Sequence, residues 1–120
     1  MKTILLADDN SGNREMTRIA LEVVGYRVIE AANGREAIEL ARREVPSLIL
    51  LDIQMPILDG YAAIAELRQD VRFATTPVIA MTAYAMQSDQ EKALAAGFTR
   101  HISKPVKLPE LRQIITEILS

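Results

Sequence analysis

The chain switches repeatedly between two hydrophobic periods. Thr3-Ile4-Leu5-Leu6-Ala7 is a short unbroken apolar run that ends in Asp8-Asp9. Runs of this length between polar residues predict strands buried on both faces. Further strands are predicted over Tyr26 to Ala31, Ser47 to Asp52, Val78 to Thr82 and Phe98 to Ser103. Between them the period lengthens to that of a helix. Asn10-Ser11-Gly12-Asn13 supplies turn and cap chemistry, after which Met16, Ile19, Ala20, Val23 and Val24 recur at i, i+3, i+4, i+7, i+8, a face expected to meet the core. Gly25 closes that helix. The next opens at Asn33-Gly34, carries Ala37, Ile38, Leu40 and Ala41 as its stripe, and is stopped near Glu44 by Pro46. Tyr61 to Asp70 carries Ile64 and Leu67 at helical spacing, and Ser88 to Ala96 is polar and alanine-rich, ended by Gly97. In Leu108 to Leu119, residues Leu108, Leu111, Ile114, Ile115, Ile118 and Leu119 share one side, with Pro109 in the first turn where a missing N–H costs nothing.

Five strands alternating with five helices predict a parallel sheet covered on both faces, because each crossover is right-handed and lays its helix on the sheet. With the first and last helices on one face and the middle three on the other, the economical strand order is 2-1-3-4-5. The fold class expected is therefore α/β, flavodoxin-like. Ligands of such sheets bind beyond the C-terminal strand ends, at the switch point, here between strands one and three.

At 120 residues the chain is expected to form one domain, 1–120. No apolar run approaches the roughly 18 residues of a spanning helix, and the stretch before Asp8 is too short for a signal peptide, so no membrane partner is expected. The absence of Cys excludes disulfides and thiol chemistry and agrees with a cytoplasmic setting. A net charge of −2 offers no basic stripe for phosphate backbones, and 4% aromatic residues offer little stacking surface, which argues against nucleic-acid binding.

The candidate chemistry lies at the strand ends. Ser47-Leu48-Ile49-Leu50-Leu51-Asp52 runs into Ile53-Gln54-Met55-Pro56-Ile57-Leu58-Asp59-Gly60, placing Asp52 at the C-terminal end of the central strand. The predicted strand order sets Asp8 and Asp9 beside it, with Thr82 and Lys104 at the ends of the next two strands. Three converging carboxylates repel one another unless a cation supplies positive charge. All-oxygen ligation favours Mg²⁺, with Mn²⁺ possible. Asp9 and Asp52 are expected as direct ligands, Asp8 as direct or through water, and the Gln54 backbone carbonyl as a further donor. Lys104 can pair with Asp52 and later with a phosphoryl oxygen, and Thr82 offers a hydroxyl donor. Together these groups describe a site for forming an aspartyl phosphate.

Asp8-Asp9, Asp52-Ile53-Gln54-Met55-Pro56 with Asp59-Gly60, Thr82-Ala83 and Lys104-Pro105, in this order and spacing, resemble the response-regulator receiver domains of two-component signalling. The resemblance spans the chain. It implies that Asp52 accepts a phosphoryl group from a phosphohistidine on a histidine kinase or histidine phosphotransfer protein, with Mg²⁺ required. It implies Asp8 and Asp9 at the metal, Thr82 and Lys104 on the phosphoryl oxygens, and a cis bond before Pro105. It also implies a switch in which Thr82 moves inward and an aromatic residue on strand five follows. Here that place is held by His101, where most of the family has Tyr or Phe. His101 can be read as a phosphate acceptor, a metal ligand, a pH sensor or a half-exposed residue on a partner-facing surface. Gln54 and Tyr84 are expected to flank the path of the attacking water and so to set the lifetime of the phosphoryl group. With no output domain in this chain, the signal is expected to leave through helix four, strand five and helix five, with Met86, Phe98, His101 and Val106 near that face. The molecule is expected to be a monomer or a phosphorylation-dependent homodimer, and not an enzyme beyond its own phosphorylation and dephosphorylation. The competing reading is a small Mg²⁺-dependent phosphohydrolase, which ordinarily needs an acid two residues past the nucleophile, where this chain has Gln54.

Overall fold

A computed structural model describes residues 1–83 and 87–119, with residues 87 and 88 described by their backbone alone. The strands are β1 (Thr3–Ala7), β2 (Arg27–Ala31), β3 (Leu48–Asp52), β4 (Val78–Thr82) and β5 (Arg100–Ser103). The helices are α1 (Ser11–Val23), α2 (Gly34–Glu44), α3 (Gly60–Gln69), α4 (Gln87–Ala96) and α5 (Leu108–Leu119). The strands form one parallel sheet of order β2-β1-β3-β4-β5, as the alternation of periods predicts. Every residue of β3 and β4 is buried, which explains why their sequences show no polar alternation.

Each face of the sheet has its own core. Ile4, Leu6, Leu48, Leu50, Ile79 and Met81 pack with Leu21 of α1 and Leu111, Ile114 and Ile115 of α5. Leu5, Ile49, Leu51 and Val78 pack with Ile38 of α2, Ile64 and Leu67 of α3, and Ala93 of α4. Three helices begin on side-chain caps: Asn10, Asn33 and Asp59 accept from Asn13, Glu36 and Ala62 respectively.

The rotation of α1 corrects an expectation. Its buried residues are Thr17, Ala20 and Leu21. The predicted face is largely in solvent, with Met16 63%, Ile19 48%, Val23 75% and Val24 47% exposed. Two overlapping stripes fit the helical period, and the small Thr17 and Ala20 beside Leu21 are the ones that approach the sheet. A second correction concerns Phe98, which is 3% exposed and packed in the core edge-on to Tyr61, so it contributes nothing to an output surface.

The sequence reading also missed a 3₁₀ turn, Val71–Phe73, that follows α3 and buries Phe73 completely. Above it, Arg68 donates to the carbonyls of Gly97, Phe73 and Thr76 at 2.6 to 3.0 Å. One guanidinium thus ties the ends of α3 and α4 and the approach to β4.

Candidate functional site

Asp8, Asp52, Thr82 and Lys104 lie at the C-terminal ends of neighbouring strands because the parallel register aligns them. Asp52 pairs in the ladder with Met81, Thr82 with Ser103, and Ile53 and Lys104 extend the ladders through bonds to the carbonyls of Met81 and Thr82. Asp8 is held the same way, its N–H donating to the Ala31 carbonyl at 3.1 Å. Asp8 and Asp52 do not depend on loop conformation for their placement.

Carboxylate oxygens of Asp8, Asp9 and Asp52 all lie within 4.8 Å of one another. Asp8 and Asp52 are buried and Asp9 is exposed. Lys104 Nζ donates to Asp52 Oδ2 at 2.6 Å and stands 3.5 Å from Asp8 Oδ2. The other Asp52 oxygen, Oδ1, accepts the Gln54 N–H at 3.0 Å. Burial raises the Asp52 pKa above that of a free carboxyl, more than the Lys104 and Gln54 hydrogen bonds lower it, and the Asp8 charge adds to the rise. Burial pulls Lys104 down, but its bond to Asp52 and the charges of Asp52 and Asp8 outweigh this and raise it. Three carboxylates against one ammonium leave the pocket with surplus negative charge. This oxygen-only donor set fits a hard divalent cation.

The loop after β3 is shaped by two close approaches. A Cβ on Gly60 would lie 2.6 Å from the Ile53 Cα, and one on Gly34 would lie 2.0 Å from the Leu58 carbonyl oxygen. Gly60 N–H closes the loop onto the Ile53 carbonyl at 2.8 Å. At the tip, Ile57 adopts φ 70° under a 2.7 Å bond from Leu58 N–H to the Pro56 carbonyl, which turns its side chain out to 80% exposure. The Lys104–Pro105 bond is cis.

A cleft of about 620 Å³ opens beside the acids, lined by Asp9, Gln54, Thr82, Tyr61, Asp89 and Lys92. Lys92 Nζ sits 4.7 Å over the Tyr61 ring. On the other side, Met16 joins Asp8, Met81, Lys104, Pro105 and Val106 around a smaller hollow of about 110 Å³. Thr82 is buried, and His101 is half-buried on β5 beside Ala80, two register positions before Thr82 and on the same face of the sheet. Among the described residues the converging ligand atoms belong to the three acids and not to His101. Tyr84 and Met86 lie outside the described residues. Gln54 lines the cleft, and Val106 is half-buried at the hollow.

The family model of the response regulator receiver domain matches residues 4–116. The chain belongs to the response regulator receiver family. It is 38% identical over 118 residues to the polar-differentiation response regulator DivK of Brucella anthropi, covering 98% of this receiver and 96% of that protein. Among solved structures it resembles the receiver domain of sensor histidine kinase PA1611 from Pseudomonas aeruginosa, with 39% identity, a TM-score of 0.90 and coverage of 99% and 98% of the two chains. That protein has a magnesium ion coordinated in its active-site cleft. It also resembles the chemotaxis response regulator CheY4 of Vibrio cholerae, with 27% identity, a TM-score of 0.93 and 98% coverage of each chain. This receiver therefore shares a CheY-like fold and takes part in two-component signalling. No helix among its described residues is long and apolar enough to cross a membrane.

Proposed function

We propose that this receiver is a phosphoacceptor switch in which Asp52 takes a phosphoryl group from the phosphohistidine of a histidine kinase or histidine phosphotransfer protein. The observation that carries the reading is the 2.6 Å contact of Lys104 with an Asp52 whose neighbours Asp8 and Asp9 leave the pocket short of positive charge. In the transfer an Asp52 oxygen forms a bond to phosphorus as the phosphorus–nitrogen bond breaks, and the departing imidazole nitrogen keeps the electron pair and takes up a proton. Lys104 and the Gln54 N–H hold the carboxylate so that its attacking lone pair faces the cleft. As charge moves to the phosphoryl oxygens, Lys104 and the Thr82 hydroxyl receive them. Asp8, Asp9 and Asp52, with the Gln54 carbonyl, would hold a Mg²⁺ or Mn²⁺ ion, which supplies the positive charge that the acids and the phosphoryl group lack.

The added charge on Asp52 is then read through Thr82 and His101, which share one face of β4 and β5. Gln54, at the cleft wall, and Tyr84 set how fast water removes the group. The exposed apolar residues of α1, which reach the pocket rim at Met16, suit a phosphodonor that packs against this helix. The message leaves through α4, β5 and α5, in a monomer or in a homodimer formed on phosphorylation. The receiver acts in the cytoplasm and turns over no substrate beyond its own phosphoryl group. Incubation with acetyl phosphate and Mg²⁺, followed by intact mass, is expected to show one added phosphoryl group, absent in Asp52→Asn and when EDTA removes the metal. Labelling that persists in Asp52→Asn would remove the assignment.

A further inference from the structure

Arg14 stands beside the acidic pocket, yet its side chain touches none of the three carboxylates. Its Nη1 donates to the backbone carbonyl of Asp8 at 2.7 Å, and its Nε donates to Glu30 Oε1 at 3.1 Å. The side chain is only 18% exposed although it sits on the first turns of a surface helix. Glu30, on the edge strand β2, is held in turn by Arg18 at 3.2 Å. Asp8 is thus fixed at every polar group: its N–H by the Ala31 carbonyl, its Oδ1 by the Asn10 N–H at 2.9 Å, its Oδ2 by Lys104 and its carbonyl by Arg14. Among the described residues nothing supports the Asp9 side chain in this way. Its exposed carboxylate follows the backbone between Asp8 and Asn10, and the Asp8–Asp9 peptide is what Arg14 holds.

We infer that Arg14 is a positioning residue for the divalent-cation site, orienting the Asp8–Asp9 peptide and through it the Asp9 carboxylate, with Glu30 as the brace that aims the guanidinium. The inference rests on the reading of the three acids as a cation site. Two physical effects oppose each other here, which makes the sign informative. Removing a cation near the acids strengthens their attraction for a metal, whereas freeing the peptide costs the entropy of re-ordering a ligand. Because Glu30 already neutralises Arg14, the second effect is expected to win.

The test is Mn²⁺ binding to the full chain, read as loss of the free-ion electron paramagnetic resonance signal, together with the Mg²⁺ dependence of acetyl phosphate labelling. Arg14→Gln is expected to raise the Mn²⁺ midpoint about tenfold, the low end for a residue that supports a ligand without touching the metal. The Mg²⁺ concentration for half-maximal labelling should rise equally, while the rate at saturating Mg²⁺ stays within about twofold of wild type, a split that general loosening of the fold does not produce. Glu30→Gln should shift the midpoint in the same direction by less. Arg14→Lys, which keeps the charge and one donor, should give an intermediate shift and serves if Arg14→Gln does not fold. An unchanged or lowered midpoint in the Arg14 variants overturns the inference, as does an equal rise in Arg18→Gln, which leaves the Arg14–Asp8 bond in place. If the wild-type chain itself takes up no Mn²⁺, the cation-site reading fails instead.

Discussion

Two part-buried cations sit at opposite ends of β4, and they are used in opposite ways. Arg68, near the start of the strand, spends its donors on three neutral carbonyls, those of Gly97, Phe73 and Thr76, and no acid among the described residues pairs with it there. Its pKa is lowered by burial alone. Lys104, next to the strand's other end, faces Asp52 and Asp8, with Asp9 close behind, and cannot balance them. At the Arg68 end, groups that would otherwise go unpaired are satisfied, and the result is a closed corner. At the Lys104 end, charge is left over. A fold that carries uncompensated acid at the ends of fully buried strands stores a demand for positive charge that a bound cation would meet.

Substitutions at the two ends should therefore separate stability from chemistry. Arg68→Met leaves three carbonyls without their donor and is expected to cost about 3 kcal/mol in urea denaturation, while the folded fraction still labels with acetyl phosphate at a rate near wild type. Lys104→Met should do the reverse, lowering the labelling rate about a hundredfold, the scale for removing one charge-stabilising donor. Equal losses of labelling in the two variants would erase the distinction. A smaller effect is expected from Asp52→Asn, which removes a carboxyl whose ionised form is disfavoured by burial and by Asp8. Without metal it should raise the denaturation midpoint, and a drop would contradict this.

The pH dependence follows from the same residue. The Asp52 pKa is raised in the folded state, so the folded chain binds that proton more tightly than the unfolded chain does. Its contribution to stability is fully present below the unfolded value of 3.8 and is lost as pH climbs through the raised folded value. The advantage of Asp52→Asn over wild type should accordingly be absent at the acid end and grow as pH rises, then level off. Metal-free denaturation of both proteins across this range measures it, and an advantage that shrinks with rising pH would reverse the sign. The smallest effect expected is at Tyr61, whose hydroxyl is pushed upward by burial and by Asp89 and Asp59, so one tyrosine should ionise late in an absorbance titration.

Much of the site was legible before any coordinates because its residues end apolar runs. Asp8, Asp52 and Thr82 each end or follow an apolar run, Lys104 follows the shorter, mixed Arg100–Ser103, and a parallel sheet brings strand ends together whatever its loops do. Residues that act through backbone were not legible. Arg14 and Arg68 look like ordinary surface arginines at helical spacing, and only their carbonyl partners, brought in from just past β1 and α4 and from the 3₁₀ turn, separate them from the rest. Gly34 reads as the start of a helix, and its contact with the Leu58 carbonyl crosses between two elements that share no sequence signal.

Sequence by itself determined the element types, the strand order and the gathering of acids at one end, because periodicity and crossover handedness leave few alternatives. Tertiary structure alone decided how α1 is rotated. Its residues Thr17, Ala20 and Leu21 compete with Met16, Ile19 and Val23 for the core, and the helical period satisfies both sets. The choice was made by the space between the helix and the sheet, which admits a small pair and one leucine and leaves the larger apolar residues outside.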